Sequence, residues 1–240
     1  MFRMIFLNLD KKISFLSVVF MLISIGLIFV ITITNASFNI GDYQLLNQKE
    51  IIVENFLYES FQLTEIISII FIILLVELEL FYNNDNFDAY FVALKGKSRY
   101  FIVKIISYLL IILFYTTIIF LGIMIVYLLR FETVEYLYFI FECFIHYLLY
   151  FVLYFFVGMI FLLLFKNYFS AMLIFIYYWL GKMVETKEEI ILAILPNIYL
   201  NILEESISFK INILFIIIYI LILVFLSRKI YIIKDMKLIS

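Results

Sequence analysis

The stretch FIVKIISYLLIILFYTTIIFLGIMIVYLL, residues Phe101 to Leu129, is almost uniformly apolar. A helix crosses the hydrocarbon core of a bilayer with about 20 apolar residues, so this longer run predicts a transmembrane helix that tilts or projects from the membrane. Five further apolar runs flank it, at residues 13–34, 66–82, 136–165, 168–184 and 211–227. The sequence therefore predicts an all-α integral membrane protein with six transmembrane helices in one domain, residues 1–240.

The composition excludes an ordinary soluble domain. Hydrophobic residues make up 67% of the chain, charged residues only 15%, and the mean hydropathy is +1.18. A chain of 240 residues with six spans leaves no length for a soluble catalytic domain. The first run is too long for the core of a cleaved signal peptide. The net charge of −2 carries no information about nucleic acid, and we expect no nucleic-acid partner.

The distribution of Lys and Arg predicts the orientation. Cytoplasmic loops of membrane proteins carry the excess of these residues. If the N-terminus is cytoplasmic, twelve of the seventeen fall on the cytoplasmic side. The other five fall outside: Lys49, Arg130, Lys182, Lys187 and Lys210. With six spans both termini are therefore expected in the cytoplasm.

The segment between the second and third runs, Asn83 to Lys104, has the pattern of a short amphipathic helix. Its apolar residues follow helical spacing: Phe87, Tyr90, Phe91 and Leu94. Asn84 to Asn86 supply N-cap residues, and Gly96 is a C-terminal cap. Two interpretations stay open: a membrane-hugging connector whose charges fix the topology, and a docking surface for a cytoplasmic partner.

Two other segments outside the apolar runs have sequence patterns that predict local structure. Apolar residues at helical spacing near Arg3 and Lys11 predict an amphipathic N-terminal helix lying on membrane lipids. In the outer segment 182–210, Thr186 and Glu189 form a capping box, and Pro196 then breaks the helix. That segment is either a hairpin dipping into the membrane or an interfacial loop.

Ionisable residues within the predicted spans are few, and such residues are costly in lipid. They are Glu77 and Glu79 near the inner end of the second span, and Glu142 and His146 in the fourth. Glu142 and His146 are spaced i and i+4, so they share a helix face. They form either a proton relay or an interfacial carboxylate with a neighbouring histidine. Glu77 and Glu79 point to different faces and do not form a carboxylate pair.

Signatures of an enzyme are missing from the sequence. A single histidine excludes a two-histidine metal site within one chain, and the lone Cys143 excludes an intramolecular disulfide. No Gly-x-Ser-x-Gly turn and no phosphate-binding glycine loop occurs. We therefore expect no catalytic, cofactor-binding or metal-binding residues, and no ATP hydrolysis by this chain.

This arrangement resembles the type-2 family of bacterial ABC-transporter permease subunits. The resemblance covers nearly the whole chain in plan, from the amphipathic N-terminal helix to the short basic tail. Locally, Val76 to Glu79, the segment from Asp85 to Leu94, the pair Ser98-Arg99 and Lys104 are similar to the family's acidic residue, coupling helix, Ser-Arg pair and following lysine. The customary proline before the Ser-Arg pair is replaced here by Gly96-Lys97.

The resemblance implies a permease domain that couples to a separate cytoplasmic ATP-binding subunit. The residues implied in this coupling are Asp85, Phe87, Asp88, Tyr90, Phe91, Leu94, Lys95 and Arg99. ATP and Mg would bind the partner subunit, and this chain would bind no cofactor. A second copy or a homologous permease would complete the pathway. The substrate would be a peptide, bacteriocin, lipid or drug, and the location a multi-pass position in the bacterial plasma membrane.

Two alternatives belong to other classes. One is a proton-coupled secondary carrier that uses Glu142 and His146. The other is a non-transporting membrane protein, such as an immunity or regulatory subunit, which this sequence does not separate from a permease.

Overall fold

The computed structural model describes residues 13–41, 49–82, 96–132, 134–165, 169–183 and 209–236. Over these ranges the chain is helical and has no β-strand. The helices are α1 (Ile13–Gly41), α2 (Lys49–Tyr82), α3 (Lys97–Phe131), α4 (Leu137–Phe165), α5 (Phe169–Met183) and α6 (Phe209–Met236). The predicted N-terminal helix and most of the outer segment 182–210 lie outside the described residues.

Four of these helices are long and apolar enough to cross a membrane. The candidate spans are Phe56–Glu77 in α2, Lys97–Phe131, Leu137–Phe165, and Ile216–Ile233 in α6. In α1 the apolar stretch is the shorter Val18–Thr34, and α5 has 15 residues. The all-α prediction is confirmed for the described residues, and the four apolar helices are compatible with a multi-pass membrane protein.

The boundaries of α2 differ most from the prediction. The apolar run was expected to begin at residue 66, but the helix begins at Lys49 and its apolar window at Phe56. Glu59 and Glu65 interrupt the apolar pattern in the sequence without interrupting the helix. Backbone hydrogen bonds within a helix are satisfied whatever the side chain is, so an isolated carboxyl group does not end it.

Helix α4 is the centre of the bundle. It packs against α2, α3, α5 and α6, whereas α1 packs against α2 and α3. Accordingly, α4 contributes a large part of the buried core, including Tyr150, Tyr154 and Phe155. The outward faces of α1, α3 and α6 carry large exposed aliphatic and aromatic side chains, as expected for helices that contact lipid.

A short connection fixes the antiparallel packing of α3 and α4. Helix α3 ends at Phe131 and is capped by Glu132, whose φ of 53° is left-handed and whose amide N–H donates to the Leu128 carbonyl at 3.2 Å. The amide of Tyr136 then donates to the Tyr127 hydroxyl at 3.4 Å. Only residues 132–136 separate the two helices, so the ends of α3 and α4 are held together locally.

Candidate functional site

Most residues predicted to contact an ATP-binding subunit lie outside the described residues. These are Asp85, Phe87, Asp88, Tyr90, Phe91, Leu94 and Lys95. Arg99 is described, and it is exposed in the first turn of α3. Gly96, directly before α3, has a φ of 80°, a conformation that favours glycine. Its predicted role as the cap of a preceding helix stays a prediction.

The start of α3 is joined to the C-terminal part of α6. The Nε and Nη2 groups of Arg228 both donate to the Ser98 hydroxyl oxygen, at 3.1 and 2.7 Å. The rings of Phe101 and Tyr231 lie next to this pair, with centroids 5.1 Å apart. The planar guanidinium presents its donors in a fixed fork, so two bonds to one oxygen restrict its orientation. Both helices therefore have their basic ends at the same end of the bundle.

Two lysines at this end lie against aromatic rings. The ammonium group of Lys104 is 5.6 Å from the ring centre of Tyr100, and that of Lys229 is 4.8 Å from the ring centre of Phe225. Both distances are within the range of cation–π attraction. Lys104 is buried, whereas Lys229 is exposed. The aromatic faces let these cations lie beside apolar helices.

The four ionisable residues predicted within the spans lie on two helices. Glu77 is half-buried at the end of the candidate span of α2, and Glu79 follows it on the same helix. Glu142 is half-buried on α4, and its carboxylate interacts with the hydroxyl of the exposed Tyr138. His146 is buried one turn further along α4, with its ring beside that of Tyr150 at a centroid distance of 6.4 Å.

The structure adds a buried carboxyl group that the sequence interpretation missed. Glu65 is only 3% exposed and lies close to the middle of the candidate span Phe56–Glu77. Its carboxylate interacts electrostatically with the hydroxyl groups of Tyr147 and Tyr154 on α4 and of Tyr178 on α5. Three helices therefore meet at this group. We call Glu65 with these three tyrosines the carboxyl–tyrosine cluster.

The rings of the cluster pack on one another and on neighbouring tyrosines. The Tyr154 ring is 6.4 Å from Tyr150, 6.0 Å from Tyr177 and 6.2 Å from Tyr178 between centroids. Such distances are typical of favourable aromatic pairs. The Tyr147 hydroxyl donates to the Phe61 carbonyl at 3.4 Å, one turn from Glu65 on α2. Ring packing thus fixes where the hydroxyl groups lie.

Two buried hydroxyl groups have no hydrogen-bond partner among the described residues: that of Tyr154 in the carboxyl–tyrosine cluster and that of Ser60, five residues before Glu65 on α2. Both residues are almost completely buried. Burying a hydroxyl group without a partner is costly, and such exceptions in a protein interior call for an explanation. The interior between α2, α4 and α5 therefore has unused hydrogen-bonding capacity next to a carboxyl group.

A second polar contact holds α2 in this orientation. The hydroxyl groups of Ser68 and Tyr115 are 3.1 Å apart, and Tyr115 also interacts with Ser24 of α1. The Phe71 ring stacks on Tyr115 at 4.2 Å between centroids. Hydrogen bonds between helices in lipid contribute modestly, about 0.6 kcal/mol on average. This contact joins α1, α2 and α3 at Ser68, one turn from Glu65 on α2.

The position of the predicted start of the second span explains why Glu65 was missed. A hydropathy window that stops at the first carboxyl group begins the span at Ile66 and leaves Glu65 outside it. The apolar residues Phe56, Leu57 and Phe61 upstream of Glu65 were the signal that could have extended the span. The tyrosine spacing on α4, residues 147, 150 and 154, was the second signal, because i, i+3 and i+7 share one helix face.

Comparison with known proteins gives no match to a family model, to a curated protein or to a solved structure.

Proposed function

We propose that the chain crosses the membrane six times, with both termini in the cytoplasm. The Ser98–Arg228 contact supports an even number of crossings from the start of α3 to the end of α6, because both ends lie at one end of the bundle. Crossings by α3, α4 and α6 alone would leave those ends on opposite sides. A further crossing between Phe165 and Phe209 is therefore needed, and α5 lies in that interval.

Single-cysteine labelling tests this topology. Cys143 is the only cysteine and is buried, so Cys143→Ala provides a cysteine-free background. We expect a membrane-impermeant maleimide to label Val134→Cys and Lys187→Cys on intact cells. It should label Lys95→Cys and Lys237→Cys only after the cells are opened. Labelling of Lys187→Cys and Lys237→Cys from the same side would contradict six spans.

We further propose that the chain is the permease subunit of an ATP-driven ABC exporter. The observation that carries this proposal is the junction of Ser98 with Arg228 and of Phe101 with Tyr231. It lies directly after Gly96, where the amphipathic segment 83–96 enters α3. A displacement of that segment would reach α3 at a point already joined to α6. Both helices pack against the central α4. A push on the segment would therefore move the packed helices together, and would not be absorbed by a flexible loop.

The partner in this proposal is a cytoplasmic ATP-binding subunit that holds ATP and Mg. Its closure would push on segment 83–96 and on the N-terminal helix, and the permease would work with a second copy or a homologous permease. The basic groups at this end include Arg228, Lys229 and Arg99, which fits a cytoplasmic surface. An apolar or amphiphilic substrate suits a pathway lined by so few charged groups.

Affinity purification in mild detergent tests the coupling. We expect an ATP-binding subunit to co-purify with the wild-type chain. Replacing residues 85–95 by a Gly-Ser sequence of equal length should abolish this, because the apolar face that docks is removed while the connection is kept. An equal-length Gly-Ser replacement of residues 197–207, on the other side of the membrane in this topology, serves as the control.

Two outcomes would count against the permease. If the ATP-binding subunit co-purified with the 85–95 variant at the wild-type level, residues 85–95 would not be the docking segment. Recovery of the wild-type chain without any ATP-binding subunit, in several detergents, would favour a secondary carrier instead.

A further inference from the structure

Among the described residues, Glu65 carries the only carboxyl group that is buried. A buried ionised carboxylate loses its hydration, and only opposite charge or hydrogen bonds offset the cost. Ionisable residues inside transmembrane helices are rare and commonly mark ion pathways or proton relays. Glu65 lies near the middle of its candidate span, so it is too far from the ends of α2 for its short side chain to reach headgroups.

The three tyrosines that interact with this carboxyl group, on α4 and α5, are neutral side chains. Besides the three tyrosines of the cluster, the described titratable side chains on the helices that pack against α2 include Cys143, His146 and Tyr150 on α4, Tyr177 on α5 and Tyr115 on α3. The described side chains of α1 contribute none. His146 is the only member of that set able to carry a positive charge, and its ring packs on Tyr150.

Tyrosine hydroxyl groups suit both forms of a carboxyl group. A phenol O–H donates to a carboxylate, and its oxygen accepts from a carboxylic acid. The Tyr154 hydroxyl is fully buried, interacts electrostatically with Glu65 and has no hydrogen-bond partner among the described residues. It is therefore available to accept or donate as the carboxyl group changes form, without any rearrangement of the helices.

We propose that the carboxyl–tyrosine cluster is a proton-binding site, in which Glu65 takes up and releases a proton within the membrane. Tyr147, Tyr154 and Tyr178 are positioning residues whose hydroxyl groups interact electrostatically with the carboxyl group, and the unpartnered Tyr154 hydroxyl supplies a donor to its ionised form. A proton needs no cavity, which fits a close-packed interior. The site does not include Glu142, whose carboxylate interacts with Tyr138 near the start of α4. This inference is independent of the proposed ATP-binding partner and holds for an exporter or a carrier alike.

Carbodiimide labelling of the full chain in native membranes tests the proposal. Dicyclohexylcarbodiimide adds to a protonated carboxyl group in an apolar environment, and the adduct rearranges to a stable N-acylurea that mass spectrometry locates. We expect labelling at Glu65 to be maximal at acidic pH and to fall about tenfold per pH unit above its midpoint. The variant Glu65→Gln keeps the shape of the side chain and should lose the adduct.

The pH dependence separates the proposed site from a structural carboxyl group. Labelling that stays constant between pH 5 and pH 9 would overturn the proposal, because the proton would never leave. Absence of labelling at every pH would also overturn it, because Glu65 would stay ionised. Neither result depends on whether an ATP-binding subunit co-purifies, so failure of this inference is distinguishable from failure of the permease proposal.

Tyrosine-to-phenylalanine variants test whether the hydroxyl groups act on Glu65, because they keep the ring packing. Tyr154→Phe removes only the hydroxyl group, so the chain should fold and the labelling midpoint should move to higher pH, because the ionised form loses a donor. Tyr138→Phe, at a position that is 72% exposed, is the matched control and should leave the midpoint unchanged. Equal midpoints for Tyr147→Phe, Tyr154→Phe, Tyr178→Phe and the wild type would overturn the assignment of these hydroxyl groups to the site.

Discussion

Replacing Gly122 by alanine is expected to push α1 away from α3. A methyl group at Gly122 would meet the ring of Phe29 on α1, with Cε1 at 2.6 Å and Cε2 at 2.8 Å. These distances are shorter than real side-chain contacts, and a half-buried ring cannot yield as a flexible chain does. Small residues let helices approach closely in membranes, so the substitution should destabilise the bundle by about 1–3 kcal/mol through overpacking.

Gly26 provides a matched control on α1. A methyl group there meets nothing within 4 Å, so Gly26→Ala should be neutral or slightly stabilising. Both substitutions gain the same helix propensity, about 1 kcal/mol, and their difference isolates the contact with Phe29. Thermal unfolding of the purified chain in detergent measures it. Equal melting temperatures for the two variants would show that α1 does not pack against Gly122 as described.

Replacing Phe61 by alanine is expected to destabilise the bundle at least as much as Gly122→Ala. Phe61 lies where α2, α3 and α4 meet, and its ring is 5.6 Å from Phe120, 6.2 Å from Phe139 and 5.9 Å from Tyr147 between centroids. Removing a ring from such a site leaves a cavity that three helices cannot close, at a cost of about 3 kcal/mol. The Tyr147 hydroxyl would also lose the ring packing that holds it near the Phe61 carbonyl.

Phe114 is the control for the same change of side chain. It is 56% exposed on α3, so Phe114→Ala should leave the stability within about 0.5 kcal/mol of the wild type. In a bilayer, hydrocarbon solvates an exposed ring before and after unfolding, so only lost packing inside the protein counts. Unfolding by denaturant in detergent gives both values. If Phe114→Ala lowered the free energy of unfolding as much as Phe61→Ala, the described position of the core would be contradicted.

Apolar runs were enough to predict the helices of the bundle. The predicted runs 101–129 and 136–165 lie within or coincide closely with α3 and α4. Long apolar segments have one stable backbone conformation in lipid, so their helical state follows from composition. The start of α2 was not predictable in the same way, because a hydropathy scale gives Glu65 the same unfavourable value whether it is buried or exposed.

The candidate sites were predictable in unequal measure. Glu77, Glu142 and His146 were recognised because they stand out in apolar surroundings, and they lie on α2 and α4. The docking segment 83–96 stays a prediction, since most of it lies outside the described residues. No spacing rule could pair Ser98 with Arg228, because they belong to helices far apart in the sequence.

By itself the sequence determined that the described chain is helical and apolar enough for several membrane crossings, because backbone hydrogen bonding and hydrophobic length act locally. Only the tertiary structure decided that Glu65 is buried among the hydroxyl groups of Tyr147, Tyr154 and Tyr178, and that α3 and α6 are joined through Ser98 and Arg228. Those arrangements depend on which faces of distant helices pack together. Packing of that kind is a property of the whole bundle, and no single segment specifies it.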